Sequence, residues 1–459
     1  MGPDAEKHSV GKGVAQDAGL SARGAADTAA RHPVVSAPAS STFLHLPKGS
    51  RWVEGTDGQV GATFAHGFEA AGVACGLKES GREDLGLLRV APRWGDLTVS
   101  AAVFTRNAFA AAPVRVCRRR TKLDGLHGLV INSGNANAAT GPEGLRVALA
   151  GRDRAAAALG IRPERTGVAS TGVIGVPLPE LPYLEGIRLA SASLDPGGGE
   201  DFARALMTTD RFPKVAQLEV TLPEGRVRLG AAAKGAGMIA PSMATMLCVV
   251  TTDAVLDVEL ASSALTGAVS RTFNRISVDG EMSTNDSVFF LAGGASGVAP
   301  REPQSRRQLA EALEVLLLRL ALMMVADGEG ATKVACIDVS GGPSQMAADA
   351  AAWAVANSLL VKTALNGQDP NWGRVLSAAG AALAGADFPR ARLSLGGITV
   401  FSDGSAESLG KDETARLEQL MRRAEISFAL DLGAGAHRAR AYFSDIGHEY
   451  VSINADYHT

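Results

Sequence analysis

The residues best suited to covalent chemistry in this sequence lie in the segment AKGAGMIAPSMATMLCVVTTDA, residues 233–254. A glycine-rich loop that carries Lys234 leads into Thr245, which opens the apolar, β-prone run 246–250. This order predicts a hydroxyl at the start of a buried strand. If the bond between Ala244 and Thr245 is cut, the freed α-amine has a reference pKa of about 7.7–8.0, so it can act as the base for its own hydroxyl. Thr245 is therefore the candidate nucleophile.

A purely structural interpretation of this segment must be weighed beside the catalytic one. Most threonines at strand starts are structural, and glycines before a strand usually serve a turn. On spacing alone the structural role is the more frequent, because short motif matches often mislead. A catalytic role for Thr245 therefore needs partners elsewhere in the chain.

Composition limits the classes of protein to be considered. A length of 459 residues favours two or three domains or one bilobed unit, and 46% hydrophobic with 20% charged residues is typical of a globular protein. A net charge of -3 gives no electrostatic reason to expect nucleic acid or a membrane surface as a partner. The four cysteines contain no C-x-x-C pair, which indicates a reducing compartment and gives no reason to expect a disulfide framework or a metal site.

The first sixty residues differ from the rest of the chain. They are rich in Ala, Gly and Ser and have little apolar periodicity, so we expect residues 1–60 to form a disordered N-terminal extension. They contain no apolar segment typical of a secretory signal, so a cytoplasmic location is the default expectation. Four acidic residues argue against a transit peptide, the minor alternative that Arg23 and Arg31 leave open.

From residue 64 onward, strand-like and helix-like segments alternate, which predicts an α/β protein with mixed sheets. Predicted strands cover 97–104, 128–131, 168–174, 334–339, 392–395 and 424–432, and predicted helices cover 144–159, 201–207, 258–273, 304–325 and 346–360. Residues 360–376 are predicted to form a strand, a turn and the start of a helix, and Arg118, Arg119 and Arg120 to end a strand.

Six loops in this alternating pattern carry Asn, Asp, Thr, Ser or Glu beside glycine. One such loop is routine surface chemistry. Because catalytic residues favour loops held by a rigid scaffold, six of them predict convergence on one site.

Long segments containing these loops occur in a characteristic order. They are GFEAAGVACGLK (67–78), VFTRNAFAAAPV (103–114), LVINSGNANAATG (129–141), ASTGVIGVPLP (169–179), MTTDRFPK (207–214), the segment 233–254, DGEGATK (327–333), DPNWGRVL (369–376) and YVSINADYHT (450–459). Together they resemble the ornithine acetyltransferase (glutamate N-acetyltransferase) family over about residues 66–459.

The resemblance implies a layered αββα-type sandwich with two lobes, the fold of self-cleaving enzymes with an N-terminal threonine. It implies cleavage between Ala244 and Thr245, which would leave the oxyanion hole on the α chain (61–244, after the extension) and the nucleophile at the start of the β chain (245–459). Two copies of each chain would form an α2β2 heterotetramer. By motif match, Thr171 and Gly172 form the oxyanion hole, and the substrate-binding positions are Thr208, Lys234, Thr245, Glu329, Asn454 and Thr459.

The implied reaction transfers the acetyl group of N2-acetylornithine to L-glutamate through an acetyl-Thr245 intermediate, in arginine biosynthesis. No bound cofactor is implied, and use of acetyl-CoA as a second donor is left open. Charge complementarity suggests that Lys234 pairs with a substrate carboxylate and Glu329 with the ornithine ammonium, both as hypotheses. We also expect the C-terminal tail, which ends in Thr459, to be docked.

The sequence departs from the family pattern in two places. Arg211 replaces the threonine that commonly follows MTTD, and Glu281 with Met282 alters the usual VDGDTSTND. Two other enzyme classes stay open: a self-processing aminopeptidase or amidohydrolase, and an acetyltransferase of secondary metabolism. A non-enzymatic scaffold would be expected to have lost Thr245 or the Thr171–Gly172 pair, and all three residues are present.

Overall fold

The computed structural model describes residues 41–55, 59–240 and 246–456, and its strands and helices lie within these ranges. The strands are β1 (Ser50–Trp52), β2 (Phe68–Val73), β3 (Leu85–Val90), β4 (Val99–Phe104), β5 (Gly128–Asn132), β6 (Thr166–Ser170), β7 (Lys214–Leu222), β8 (Gly225–Lys234), β9 (Leu247–Thr252), β10 (Ile276–Ser277), β11 (Ser287–Ala292), β12 (Val334–Gly342), β13 (Arg392–Leu395), β14 (Ile398–Ser402), β15 (Ser405–Ala406), β16 (Glu425–Asp431) and β17 (His437–Ser444).

The helices alternate with these strands along the chain. They are α1 (Ala112–Arg120), α2 (Gly141–Leu159), α3 (Glu180–Ala192), α4 (Gly199–Leu206), α5 (Val258–Arg271), α6 (Pro303–Ala326), α7 (Gln345–Ala356), α8 (Leu359–Asn366), α9 (Trp372–Ala382), α10 (Lys411–Met421) and α11 (His448–Asp456).

The first lobe stacks two sheets between two layers of helices. One sheet has the order β1-β7-β8-β9-β11-β4 and the other the order β2-β3-β5-β6. Helices α5 and α6 pack against the outer face of the six-stranded sheet, while α2 and α3 cover the four-stranded sheet. This is the αββα layering predicted for the chain.

Strand β9 shows why the sheet can be buried on both faces. Cys248 and Val250 pack in the core that contains α5 and α6, whereas Leu247 and Val249 pack in the core between the sheets. Successive side chains of a strand point to opposite faces, so a continuous apolar run is what a two-sided core requires. The apolar run after Thr245 is therefore a buried strand, as predicted.

The second lobe is built on the sheet β10-β17-β12-β16-β13-β14-β15. Its core contains apolar residues of β12, β13, β16 and β17 together with those of α7, α9 and α10. Helix α6 contacts β17 and β12 as well as β7 and β8, and so connects the two lobes.

The predicted disorder of residues 1–60 does not hold for the segment around β1. Residues 50–52 pair antiparallel with β7, Arg51 forms an ion pair with Glu219, and the guanidinium of Arg319 lies 4.4 Å from the ring centroid of Trp52. A strand this short depends on its partner strand, and no local pattern predicts it.

Two other element predictions are wrong. Residues 359–366 form helix α8, where a strand was predicted. Ser358 caps its first turn by accepting the Val361 N–H at 3.3 Å, and its apolar face packs on the core of the second lobe. Arg118, Arg119 and Arg120 form the last turn of helix α1, where cations interact favourably with the helix dipole.

No helix in the described ranges combines the length and the apolar character that crossing a membrane requires.

Candidate active site

A cavity of about 750 Å³, partly open to solvent, lies where loops from both halves of the sequence meet. Its walls are formed by Ala136, Thr171, Gly172, Ile174, Thr208, Thr209, Lys234, Gly237, Met238, Asp279, Glu281, Ser283, Asn285, Glu329, Tyr450 and Asn454. Six residues singled out from the sequence are among them: Thr171, Gly172, Thr208, Lys234, Glu329 and Asn454. The predicted convergence of polar loops on one site is confirmed for these residues.

Thr171 and Gly172 follow directly after β6, where the chain leaves the four-stranded sheet. The Thr171 N–H donates to the Asn132 carbonyl at 2.9 Å, which fixes this junction beside the end of β5. Gly172 has φ +132°, and a Cβ there would lie 2.3 Å from the Gly134 carbonyl carbon. Only glycine fits this close approach of two backbones.

Lys234 ends β8 and is the register partner of Leu247, the first residue of β9. Its side chain is buried, and its Nζ donates to Thr171 Oγ1 at 3.1 Å. Burial lowers the pKa of Lys234, and the nearby Lys214 ammonium lowers it further, against the opposing effect of Asp210. Because the Thr171 hydroxyl accepts from Lys234, its own proton is free to donate to another group.

Asp210 fixes the backbone beside two of the cavity residues. Its carboxylate accepts the Thr208 N–H at 2.9 Å and the Gly235 N–H at 2.7 Å, and it also pairs with Lys214 at 2.6 Å. Burial by itself would raise the pKa of Asp210, but Lys214 and Lys234 hold that pKa well below its usual range. Asp210 is therefore a permanent anion behind the cavity wall.

Glu329 and Asn454 bring the second half of the chain to the cavity. Glu329 lies in the loop after α6, where its N–H donates to the Ala236 carbonyl at 3.0 Å. Asn454 lies on α11 and donates from Nδ2 to Glu329 Oε2 at 2.8 Å. The C-terminal helix thus contacts the site through Tyr450 and Asn454, while Thr459 lies outside the described residues.

The polar loop at 279–287 supplies cavity residues that the sequence does not single out one by one. Asp279 accepts the backbone N–H groups of Met238 and Ile239 at 2.5 and 2.8 Å, and burial raises its pKa. Asn285 donates to the carbonyls of Ala136 and Ser170 at 2.6 and 2.8 Å, which joins this loop to the end of β6.

Tyr450 is another cavity residue that the sequence motifs do not single out. Burial, together with the nearby Asp279 and Glu329 carboxyl groups, raises its pKa to about 12. It lies one helical turn before Asn454, so i, i+4 spacing on a helix is the available signal. That signal is hidden because YVSINADYHT stands out only as a terminal motif, and no helix is predicted there.

The two departures from the family pattern have different places in the structure. Glu281 lines the cavity, so it lies within reach of a bound molecule. Arg211 is outside the lining and donates to Asp327 Oδ1 at 2.7 Å, behind the Thr208 loop.

The catalytic centre predicted at Ala244 and Thr245 lies outside the described residues. The next residue, Met246, is described: it is buried, and its N–H donates to Asp286 Oδ1 at 3.0 Å.

The cavity wall contains the buried ammonium of Lys234 and the carboxyl groups of Asp279, Glu281 and Glu329. Charged groups of both signs around a small space suit a zwitterionic, amino-acid-sized molecule. Within the described residues, no group of three or more His, Cys, Asp or Glu side chains is arranged to hold a metal ion. Fold and site together define a two-lobed α/β protein with a small-molecule site assembled from both halves of its chain.

Comparison with known proteins places this chain among relatives. Residues 69–459 match the ArgJ family. The chain is 46% identical over 405 residues to the arginine biosynthesis bifunctional protein ArgJ of Symbiobacterium thermophilum, covering 87% of this chain and 98% of that protein. It is 41% identical over 428 residues to the protein of the same name from Thermosynechococcus vestitus, covering 89% of this chain and 100% of that protein.

Among solved structures, the arginine biosynthesis bifunctional protein of Bacillus halodurans is 31% identical, with a TM-score of 0.42 over 45% of this chain and 97% of that chain. With relatives this similar over nearly their whole length, the chain belongs to the ArgJ family.

Proposed function

We propose that this chain transfers the acetyl group of N2-acetylornithine to L-glutamate, yielding ornithine and N-acetylglutamate for arginine biosynthesis. The observation that carries the proposal is the meeting of Thr171, Gly172, Lys234 and Glu329 in one cavity. Membership of the ArgJ family supports the same reaction.

An amide acetyl group is unreactive, so the transfer is divided into two acyl steps through an ester on Thr245. Thr245 Oγ1 attacks the acetyl carbonyl carbon while its α-amine takes the hydroxyl proton. Collapse of the tetrahedral intermediate breaks the amide bond, and the ammonium returns the proton to the departing ornithine nitrogen. The glutamate amine then attacks the ester by the same steps in reverse.

The tetrahedral oxyanion forms in both steps and needs donors that are already in place. We assign this role to the Thr171 hydroxyl and the Gly172 N–H. The contact from Lys234 to Thr171 supports the assignment, because it leaves the hydroxyl proton available and sets a cation behind it. Loss of one such donor typically costs about 10²–10³ in turnover.

Substrate recognition follows from the charges around the cavity. We assign Lys234 to the substrate carboxylate and Glu329, held by Asn454, to the ornithine ammonium. Thr208, Thr245 and Thr459 complete the proposed contacts. A carboxylate would compensate the buried Lys234 ammonium, which has no carboxylate partner at hydrogen-bonding distance within the described part of the chain.

The nucleophile becomes available by self-cleavage between Ala244 and Thr245, which yields an α chain ending at 244 and a β chain starting at 245. We propose that two copies of each assemble as an α2β2 heterotetramer in the cytoplasm without a bound cofactor. Native mass measurement tests the assembly.

The experiment compares wild type with Thr245→Ala by intact mass and by acetyl transfer from N2-acetylornithine to glutamate. Wild type should be two chains and active, and Thr245→Ala one uncut chain and inactive. Thr414→Ala, an exposed threonine of α10, is the matched control and should resemble wild type. An uncut yet active wild type would refute the mechanism, and acetate release at full rate without glutamate would indicate the hydrolase instead.

Acetyl-CoA is proposed as a second acetyl donor, because the relatives carry the word bifunctional in their names. Adding acetyl-CoA and glutamate to the same preparation tests this, with N-acetylglutamate as the expected product. Absence of product in an enzyme that uses N2-acetylornithine would restrict it to one donor.

A further inference from the structure

A buried carboxylate outside the cavity lining holds the loop that carries Glu329. Asp445 follows β17 directly and is buried. Its Oδ1 accepts the N–H groups of Thr332 and Lys333 at 2.8 and 2.9 Å. Its Oδ2 accepts the Thr332 hydroxyl at 2.6 Å and the Asn366 Nδ2 group of α8 at 2.8 Å. One side chain thus joins the loop after α6 to the second lobe by four hydrogen bonds.

Glu329 lies between two fixed points of this loop. On one side, its own N–H donates to the Ala236 carbonyl at 3.0 Å. On the other side, Thr332 is bound through both its N–H and its hydroxyl to Asp445. Only residues 330 and 331 separate Glu329 from the second fixed point, so a shift of Thr332 must move the Glu329 backbone.

Asp445 also stands at the entrance to α11, whose side chains complete this part of the cavity. Gly330 has φ +71°, and a Cβ there would lie 2.7 Å from the Tyr450 nitrogen, so the loop and the helix are in backbone contact. Asn454 of the same helix donates to Glu329 Oε2 at 2.8 Å. The loop and the helix that together hold Glu329 therefore have a common attachment at Asp445.

A buried cation keeps Asp445 from being an isolated charge. Lys362 lies one helical turn before Asn366 on α8, and its Nζ donates to the Ser444 carbonyl at 2.7 Å. Burial lowers the pKa of Lys362 to about 7, against the opposing effects of Asp279 and Asp445. A buried charge is tolerated when it is compensated and hydrogen-bonded, which is the condition of Asp445 here.

We propose that Asp445 is a positioning residue that aligns the Glu329 carboxylate with the side-chain ammonium of the acetyl donor. The inference rests on the proposed function, in which Glu329 binds the ornithine ammonium. Asp445 does not line the cavity and acts through the loop alone. Its loss should therefore weaken recognition of the ammonium more than it weakens turnover of a donor that has none.

The test compares two acetyl donors on the same preparation of the full chain. N2-acetylnorvaline has the carbon skeleton of N2-acetylornithine without the ammonium. The ratio of their kcat/KM values, with glutamate as acceptor, measures ammonium recognition and is independent of the fraction of enzyme that is folded and cleaved. In wild type the ratio should favour N2-acetylornithine by about 10- to 100-fold, and Glu329→Gln should abolish most of this preference.

Asp445→Asn should lower the ratio about 10-fold, because Glu329 keeps its charge but loses its alignment. Asp84→Asn is the matched control. Asp84 is buried, directly precedes β3 and accepts the N–H groups of Cys75, Leu77 and Lys78 at distances between 2.6 and 3.0 Å. Its substitution should lower stability and leave the ratio at the wild-type value.

A rescue variant separates alignment from a general loss of packing. In Asp445→Asn the amide nitrogen faces the Asn366 amide, so two donors oppose each other. Adding Asn366→Asp gives that nitrogen an acceptor and returns a carboxylate to the neighbourhood of Lys362. The double variant should therefore recover most of the lost ratio.

A ratio in Asp445→Asn equal to that of wild type would overturn the inference and leave the proposed function intact. So would an equal fall in Asp84→Asn. If Asp445→Asn yields no folded protein, Thr332→Val removes one hydrogen bond to the carboxylate and should lower the ratio about 3-fold; an unchanged ratio would contradict the inference. A wild type that transfers acetyl without preferring N2-acetylornithine refutes the role proposed for Glu329, and one that transfers none refutes the proposed function itself.

Discussion

Two buried lysines at neighbouring strand ends have opposite surroundings. Lys214 opens β7, and its Nζ lies 2.6 Å from both Asp210 Oδ1 and Asp327 Oδ2. Lys234 ends β8, and its Nζ makes one hydrogen bond, to the Thr171 hydroxyl, among the residues that the structure describes. The first ammonium is compensated by protein carboxylates, whereas the second faces a cavity that can admit one from solution.

The difference separates a structural charge from a functional one. Removing one partner of a buried ion pair leaves the other uncompensated, so a fully paired lysine is needed for folding. A buried lysine without a carboxylate is a cost to folding that a bound anion can offset. Lys214 therefore contributes to stability, whereas Lys234 contributes to binding at a cost in stability.

The largest expected effect is on the stability of Lys214→Met. This change leaves Asp210 and Asp327 buried without their shared cation and should lower the free energy of unfolding by about 3–5 kcal/mol. Urea denaturation in the uncut Thr245→Ala background measures it on a single chain. Lys214→Arg, which keeps the charge, should recover part of the loss. Stability equal to the parent would mean that the two carboxylates need no compensation.

Lys234→Met should have the reverse effect, a loss of activity without a loss of stability. Its free energy of unfolding should be unchanged or higher, because a poorly compensated buried charge is removed. Its kcat/KM for glutamate should fall on the order of 10- to 100-fold, the typical value of a hydrogen bond to a charged group. Steady-state kinetics and denaturation on the same preparation measure both. Loss of stability without loss of kcat/KM would reverse the roles given to the two lysines.

The pH dependence of glutamate binding gives a smaller effect. A lowered pKa means that Lys234 loses its proton below the pH at which an ordinary lysine does. KM for glutamate should therefore rise as the pH passes the lowered value, by about 10-fold or less within the usable range. Lys234→Arg stays charged and should show a flat KM over the same range. An identical rise in both enzymes would assign it to another group.

The sequence predicted the cavity residues better than it predicted the elements around them. Thr171, Gly172, Lys234 and Glu329 lie in long contiguous motifs, so their roles could be proposed without knowing the fold. Asp286 also lies in a recognised loop, but its hydrogen bond with the N–H of Met246, 40 residues away, is encoded by no local pattern.

The wrong element predictions have the same physical origin. Strand β1 exists through its pairing with β7, which is distant in sequence. Helix α8 contains Val361 and Thr363, whose β-branched side chains favour a strand. The Ser358 cap and the packing of Leu365 on the core of the second lobe favour a helix instead. Tertiary contacts overrode local propensity in both places.

The smallest expected effect concerns Arg211, which joins the network of Lys214 from the outside. Arg211 donates to Asp327, but its side chain is 42% exposed, so solvent screens the pair. Arg211→Thr, which restores the residue common in the family, should lower the free energy of unfolding by about 0.5 kcal/mol, because Lys214 still compensates Asp327.

The kcat and KM of Arg211→Thr should equal those of wild type, because Arg211 does not line the cavity. The stability of the double variant with Lys214→Met tests whether Arg211 shares in compensating the charge of Asp327. If Lys214 carries the compensation alone, the two stability losses add; if Arg211 shares it, the double variant loses more than the sum. A loss clearly above the sum would mean that Asp327 depends on both cations, and the contrast would then lie between Lys234 and a three-residue network of Arg211, Lys214 and Asp327.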